Sequence, residues 1–431
     1  MVISSFNLSD LDGTNGFTIN GIAAGDASGY SVSSAGDVNN DGFDDLIIGA
    51  RLADPNGYDS GQSYVVFGSS TGFDATLNLS NLNGTNGFTI NGIAAVDYSG
   101  WSVSSAGDVN NDGIADLIIG APYASPNGLY SGQSYVVFGK STGFDATLNL
   151  SDLNGANGFT INGIAAGDGS GISVSSAGDV NDDGIADLII GASGVDPNGS
   201  ASGQSYVVFG KSTGFDATLN LSDLNGANGF TINGIAANDT SGYSVSSAGD
   251  VNGDGIADLI IGAYVASRNG YINSGQSYVV FGKSTGFGAT LNLSNLNGAN
   301  GFAINGIADY DFSGESVSSA GDVNNDGFDD LIIGAPNADP NGSASGQSYV
   351  VFGNTGFSST LNLFTLNGAN GFSINGIAGG DASGVSVSSA GDVNNDGFDD
   401  LIIGAYGASP NGSASGQSYV LFGGTNIGGT P

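Results

Sequence analysis

The chain of 431 residues sets five Lys plus Arg against 41 Asp plus Glu, a net charge of −36, so nucleic-acid backbones and anionic membranes are repelled over most of its surface. With no Cys and no His, disulfides, thiolate or imidazole catalysis and nitrogen- or sulfur-ligand metal sites are excluded, while oxygen-ligand metals remain open. The 39% hydrophobic content suffices for a core, and 77 Gly with a nearly all-aspartate acid content (Glu315 is the single Glu) favours turns over helices.

The N-terminal "MVISSFNLSD" lacks the basic and apolar regions of a signal peptide, and the longest apolar runs are strand-sized, so no membrane insertion is expected. Next comes "FTINGI" (residues 17–22), a strand-like segment with no unit before it. From residue 28 the chain then writes one unit six times: "SGYSVSSAGDVNNDGFDDLIIGA", a variable loop, "SGQSYVVFG", and a stretch such as "TGFDATLNLSNLNGTNGFTINGIAA". The acidic loops start at Asp37, Asp108, Asp179, Asp250, Asp322 and Asp392, spaced by 71, 71, 71, 72 and 70 residues, which marks a repeat architecture.

Each unit holds four segments of strand length ("YSVSSAG", "DLIIGA", "SYVVFG" and "GFTINGI") and no sustained helical period. The fold expected is all-β, a six-bladed β-propeller of four-stranded blades. The last unit stops after its third strand at "SYVLFG", and the chain begins with the strand that blade lacks. The ring is therefore expected to close by the N-terminal strand completing the last blade, which limits exposed edges. Residues 1–424 are read as a single propeller and 425–431, "TNIGGTP", as a linker or tail that fits a piece of a larger surface protein.

In "DVNNDGFDD" oxygen-bearing side chains stand at positions 1, 3, 5 and 9, with Gly at 6 and a backbone carbonyl available at 7. That is the alternate-residue logic of a calcium loop ending in Asp at 9, and a strand follows it where an EF-hand has a helix. The candidate ligands are Asp37, Asn39, Asp41, Phe43 (carbonyl) and Asp45; Asp108, Asn110, Asp112, Ile114 and Asp116; Asp179, Asn181, Asp183, Ile185 and Asp187; Asp250, Asn252, Asp254, Ile256 and Asp258; Asp322, Asn324, Asp326, Phe328 and Asp330; and Asp392, Asn394, Asp396, Phe398 and Asp400. Up to six Ca2+ ions are expected. A plain hairpin turn of Asp, Asn and Gly is the bland alternative, but it needs no third carboxylate four residues after the second. Asp44, Asp329 and Asp399, at position 8, are expected to face solvent.

"SGYSVSSAGDVNNDGFDDLIIGA" followed by "GQSYVVFG" resembles the FG-GAP repeat of integrin α-subunit propellers and their bacterial relatives, over essentially the whole chain. "GAP" stands as written at residues 120–122 and 334–336, and "SG" replaces the family's "FG". The resemblance implies a calcium-bearing, extracellular adhesion or recognition propeller. Integrin propellers have seven blades with calcium in only some, whereas this chain has six units, each with a full loop.

In such blades the acidic loops and the "GKSTGF" turns leave by one face, and the segments that differ most between units leave by the other. Ten of the 16 tyrosines fall on that variable face or at its strand ends. The candidate ligand-binding residues are Tyr30, Trp101, Tyr243, Glu315, Tyr98, Tyr123, Tyr264 and Tyr310, with Arg51 and Arg268 beside them, for an unidentified protein or glycan. The residue after each "SG" (Tyr30, Trp101, Ile172, Tyr243, Glu315, Val385) should ring the axis. The competing functions are a carbohydrate-active or other hydrolase or lyase using upper-face carboxylates, and a ligand-free scaffold. The aspartates of "xDxSG" (Asp26, Asp97, Asp168, Asp239, Asp311, Asp381) read as turn formers; Glu315 paired with Asp311 would favour an enzyme.

Overall fold

The computed structural model describes residues 11–13, 16–410, 412–425 and 427. The first repeat supplies β1 (Thr18–Asn20), β2 (Ser31–Gly36), β3 (Asp45–Ala50), β4 (Gln62–Val66), β5 (Thr76–Asn78) and β6 (Gly87–Asn91). β2, β3, β4 and β6 are antiparallel neighbours in that order; the next four units repeat the pattern and, among the described residues, the sixth keeps its first three strands, giving six blades. The innermost strands of successive blades (β2, Ser102–Gly107, Ser173–Gly178, Ser244–Gly249, Ser316–Gly321, Ser386–Gly391) pack side by side around the axis. The molecule is a six-bladed β-propeller, and no helix among the described residues is long and apolar enough to cross a membrane.

The second strands of the four middle blades, "DLIIGA", are buried on both faces because each lies between two neighbouring blades, so an uninterrupted apolar run replaces the usual alternation. The core accordingly lies between blades. Ile47, Val65 and Phe88 of blade one meet Val103, Leu117, Ile119 and Tyr135 of blade two, all essentially inaccessible, and each such burial is worth about 1.5–3 kcal/mol.

Each of the first four blades carries one strand more than the repeat suggests. The "TLN" segment, within what reads as extra length between strands three and four, is β5 in the first repeat and is followed by a 3-10 turn, Leu79–Asn81. It pairs in parallel with the outer strand of the preceding unit, as in Thr147↔Thr89 and Leu148↔Ile90, so sheets of five strands arise from two repeats each. The seam is reinforced by stacked rings (Phe88 on Phe144, centroids 4.2 Å apart) and by a side-chain relay. In that relay the Tyr64 hydroxyl donates to Gln62 (2.6 Å), Gln62 donates to Asn91 (2.6 Å), and Asn91 donates to Asn149 of the next repeat (3.0 Å). At the axis, the Val103 N–H donates to Ser31 Oγ, and the same bond recurs from Val174 to Ser102, Val245 to Ser173, Val317 to Ser244 and Val387 to Ser316.

Closure of the ring by the N-terminal strand is not what the structure has. β1 pairs with β5, the "TLN" strand of the first repeat, and among the described residues the last strand, Gln417–Leu421, pairs only with Asp400–Ala405. The two ends face water accordingly. Val32 is 64% exposed where its counterpart Val103 is 4%, and Val420 is 50% exposed where Val350 is 0%. Counting strands identified what the last blade lacks; the pairing was decided by the nearer "TLN" edge. Most of the expected tail (residues 426 and 428–431) lies outside the described residues, but Ile427 packs on the cluster formed by blades five and six.

Candidate metal loops and the aromatic face

A β-bulge ends each first strand, where a left-handed glycine (Gly107, φ +71°) turns the chain into the acidic loop. The sixth loop residue is also left-handed in every copy, from Gly42 (φ +89°) to Gly397 (φ +90°), a conformation that a side chain would strain.

The six loops share one hydrogen-bond plan. The position-1 carboxylate accepts the N–H groups of positions 5 and 6, as Asp108 does from Asp112 (3.0 Å) and Gly113 (2.8 Å), and position 5 accepts from position 7, as Asp112 does from Ile114. The position-9 carboxylate is buried at the start of the second strand. Asp187 accepts from Val180 N–H at 3.1 Å and from Gly210 N–H at 2.9 Å, tying the loop to the turn after strand three. Burial, with the nearby position-5 and position-1 carboxylates adding to it, pushes Asp116, Asp187, Asp258 and Asp330 up to about 8, against the downward pull of those N–H bonds; Asp45 reaches about 6.

The predicted ligands of each loop therefore lie in one turn. Among the described residues, however, no three acidic side chains converge as a metal cluster, because the carboxylates are turned onto backbone amides. The donor set nevertheless fits a hard cation. Each loop offers side-chain oxygens at positions 1, 3, 5 and 9 and a carbonyl at 7, and the position-3 amide oxygens of Asn181 and Asn324 are buried with no hydrogen-bond donor.

Two of the three position-8 aspartates are not solvent-facing. Asp329 accepts from Asp250 N–H (2.7 Å) and Asp399 from Asp322 N–H (2.9 Å), each reaching the loop of the preceding blade; Asp44, in the first blade, is exposed. The "GKSTGF" turns also meet the preceding loop, with Lys140 N–H donating to Val38 O, and the Lys140, Lys211 and Lys283 ammonium groups lie over Phe144, Phe215 and Phe287.

On the opposite face the structure gathers the predicted aromatics into two groups. Tyr30, Trp101, Tyr98, Tyr123 and Tyr130 form a chain of ring contacts 5.0–6.3 Å between centroids. Tyr243, Tyr264, Phe312 and Tyr310 form another, and Glu315 lies beside it. Burial first, then Tyr264, Glu315, Tyr30 and Tyr123, push the Tyr243 phenol up to about 12, and burial raises Glu315.

The "xDxSG" aspartates do serve their turns: Asp97 accepts from Ala94 N–H and Asp168 from Ala165 N–H. Arg268 is committed to structure, paired with Asp239 and donating to Gln276 Oε1 (2.7 Å). Arg51 differs. Its guanidinium carbon lies 3.8 Å from the Tyr30 ring centroid and 4.2 Å from that of Trp101, and the one ion pair among the described residues is the Arg268 pair.

Short strands repeated around an axis, with an oxygen-rich hairpin at the same corner of each, define an acidic-loop repeat propeller. The FG-GAP repeat matches residues 28–66, 99–137, 170–208, 241–280, 313–351 and 383–421, and the chain belongs to the FG-GAP repeat family. It is similar to phosphatidylinositol-glycan-specific phospholipase D of Bos taurus (30% identical, covering 55% of this chain and 26% of that protein) and of Dictyostelium discoideum (31%, covering 71% and 31%). It is also similar to integrin alpha-5 of Xenopus laevis (28%, covering 53% and 19%). The chain thus spans less than a third of each of these relatives.

Proposed function

We propose that this chain is a calcium-stabilised extracellular recognition propeller, with Ca2+ held for structure in the six loops and a protein or glycan ligand bound on the opposite, aromatic face. The observation that carries the reading is the division of labour between faces: six loops with one hydrogen-bond plan on one side, and on the other two groups of aromatic side chains at positions that vary from unit to unit. Integrin alpha subunits among the relatives favour recognition over chemistry.

The cations would be held by positions 1, 3, 5, 7 and 9 of each loop. A bound Ca2+ supplies positive charge among three carboxylates and locks the hairpin between strands one and two. Extracellular modules bind calcium weakly, with Kd on the order of 10⁻⁴–10⁻³ M, which suits a chain working outside the cell. An enzyme reading finds less support. The recurrent upper-face aspartates are occupied by turn N–H groups, and burial alone raises Glu315, with no Asp311 contribution.

Calorimetric titration of chelator-treated protein with Ca2+ is expected to give six sites per chain; absence of binding overturns the metal part. A glycan and protein array probed with wild type and Trp101→Ala is expected to lose its signals in the variant. Equal signals from both would remove the aromatic face from the reading.

A further inference from the structure

Beside Arg51 the first aromatic group borders an open cavity of about 250 Å³ lined by Arg51, Val96, Tyr98, Trp101, Tyr123 and Tyr130, among others. That is at the lower edge of ligand pockets, the room for one ring-sized group. Three features set the spot apart. Arg51 is the only repeat residue of its kind: the same place after "GA" holds Pro122, Ser193, Tyr264, Pro336 and Tyr406 in the other units. Its Nε is buried without a hydrogen-bond partner, and its guanidinium carbon lies within about 4 Å of two ring centroids that are themselves tilted to one another. Finally, the wall residue Val96 has φ +68°, where units one, three and six have Gly25, Gly167 and Gly380 and unit four has Asn238. A β-branched residue in that region is a genuine outlier, whereas the left-handed turns at Tyr98 (φ +54°) and Tyr130 (φ +57°) are shared by the corresponding residues of the other units.

We propose that this cavity binds an acidic sugar, a hexuronic acid unit of a polysaccharide, with the pyranose ring against the Trp101 and Tyr123 faces and its carboxylate on the Arg51 fork. The proposal rests on the reading of the aromatic face as the ligand face and names its ligand class. Aromatic walls favour the apolar face of a sugar ring. A guanidinium fixed by stacking is pre-organised for the planar, bidentate acceptor that a carboxylate offers, and no protein carboxylate has taken that place. The Asp59 carboxylate is hydrogen-bonded to the Tyr98 hydroxyl, whose titration burial first and then Asp59 raise. An acidic peptide would offer the same charge without a ring to fill the cavity.

Trp101 is the only tryptophan, so its fluorescence reports this site directly. The probes are a galacturonic acid trisaccharide, its neutral methyl ester, and a Glu-rich peptide, each titrated by Trp101 fluorescence and by calorimetry. The acidic trisaccharide is expected to bind wild type and to lose about tenfold or more in affinity on Arg51→Gln, and less on Arg51→Lys, which keeps the charge without the fork. The neutral ester is expected to bind both proteins alike and weakly. Thermal melting of both variants checks that they fold.

Equal binding of acidic and neutral sugars, unmoved by Arg51→Gln, overturns the acidic-sugar assignment and leaves the aromatic face standing. Peptide binding that depends on Arg51 with no sugar binding also overturns it. If none of the three probes perturbs Trp101 or gives heat, the sugar site is rejected; failure of the aromatic face itself is read separately, from arrays on which Trp101→Ala changes nothing.

Discussion

The two faces of the propeller obey different constraints. On the loop face, six copies share the same backbone, the same left-handed glycine and the same carboxylate-to-amide bonds, and their contacts run to the neighbouring blade. On the opposite face, corresponding positions hold Arg51, Pro122, Ser193, Tyr264, Pro336 and Tyr406, and their contacts are ring against ring within one or two blades. Side chains that lock blades together cannot vary unit by unit without loss of packing; those that only cover the channel mouth can. The difference teaches that the side chains holding the blades together are separable from those that vary from unit to unit.

Removing calcium should produce the largest effect. If the proposed sites are filled, a hundredfold excess over Kd adds about 2.7 kcal/mol per site, so six sites together would rival the whole stability of a domain. Excess EDTA is expected to lower the melting temperature by tens of degrees, as followed by circular dichroism. An unchanged melt with metal removal verified would erase the contrast between the faces. Next in size is Asp258→Ala, which strands the Val251 and Gly282 N–H groups. It is expected to cost about 2–4 kcal/mol in denaturant unfolding, whereas Tyr58→Ala, at a side chain 70% exposed on the variable face, should stay within about 0.5 kcal/mol. The smallest test is internal to the loop face: Asp329→Ala breaks a bond to the preceding blade and should cost about 1 kcal/mol, while Asp44→Ala, with no such bond, should cost nothing measurable.

Much of this was legible in the residues because repetition multiplies weak signals. One "DVNNDGFDD" is a turn; six at a fixed spacing, each followed by "DLIIGA", are the hairpins of a propeller. The tyrosines not shared by all units pointed to the face where Tyr98, Tyr123, Tyr130 and Trp101 do meet. What escaped was contact between units. "TLN" is too short to announce a strand and finds its partner in the preceding repeat, and the same inter-unit reach hid the bonds of Asp329 and Asp399. Ring closure was misjudged for that reason too, since β1 takes the "TLN" edge of the first repeat. Nor could spacing reveal that Arg268 is neutralised by Asp239 while Arg51 is not, for both follow from side-chain directions in variable loops.

The outer seam has a further consequence. Each of the five "TLN" strands presents the same three residues, and each receiving strand answers with Thr-Ile-Asn or, once, Ala-Ile-Asn, in one register. Any unit therefore fits behind any other. Whole units are interchangeable parts, so an array of this kind can be lengthened, shortened or reordered in steps of one repeat without a new joint being invented.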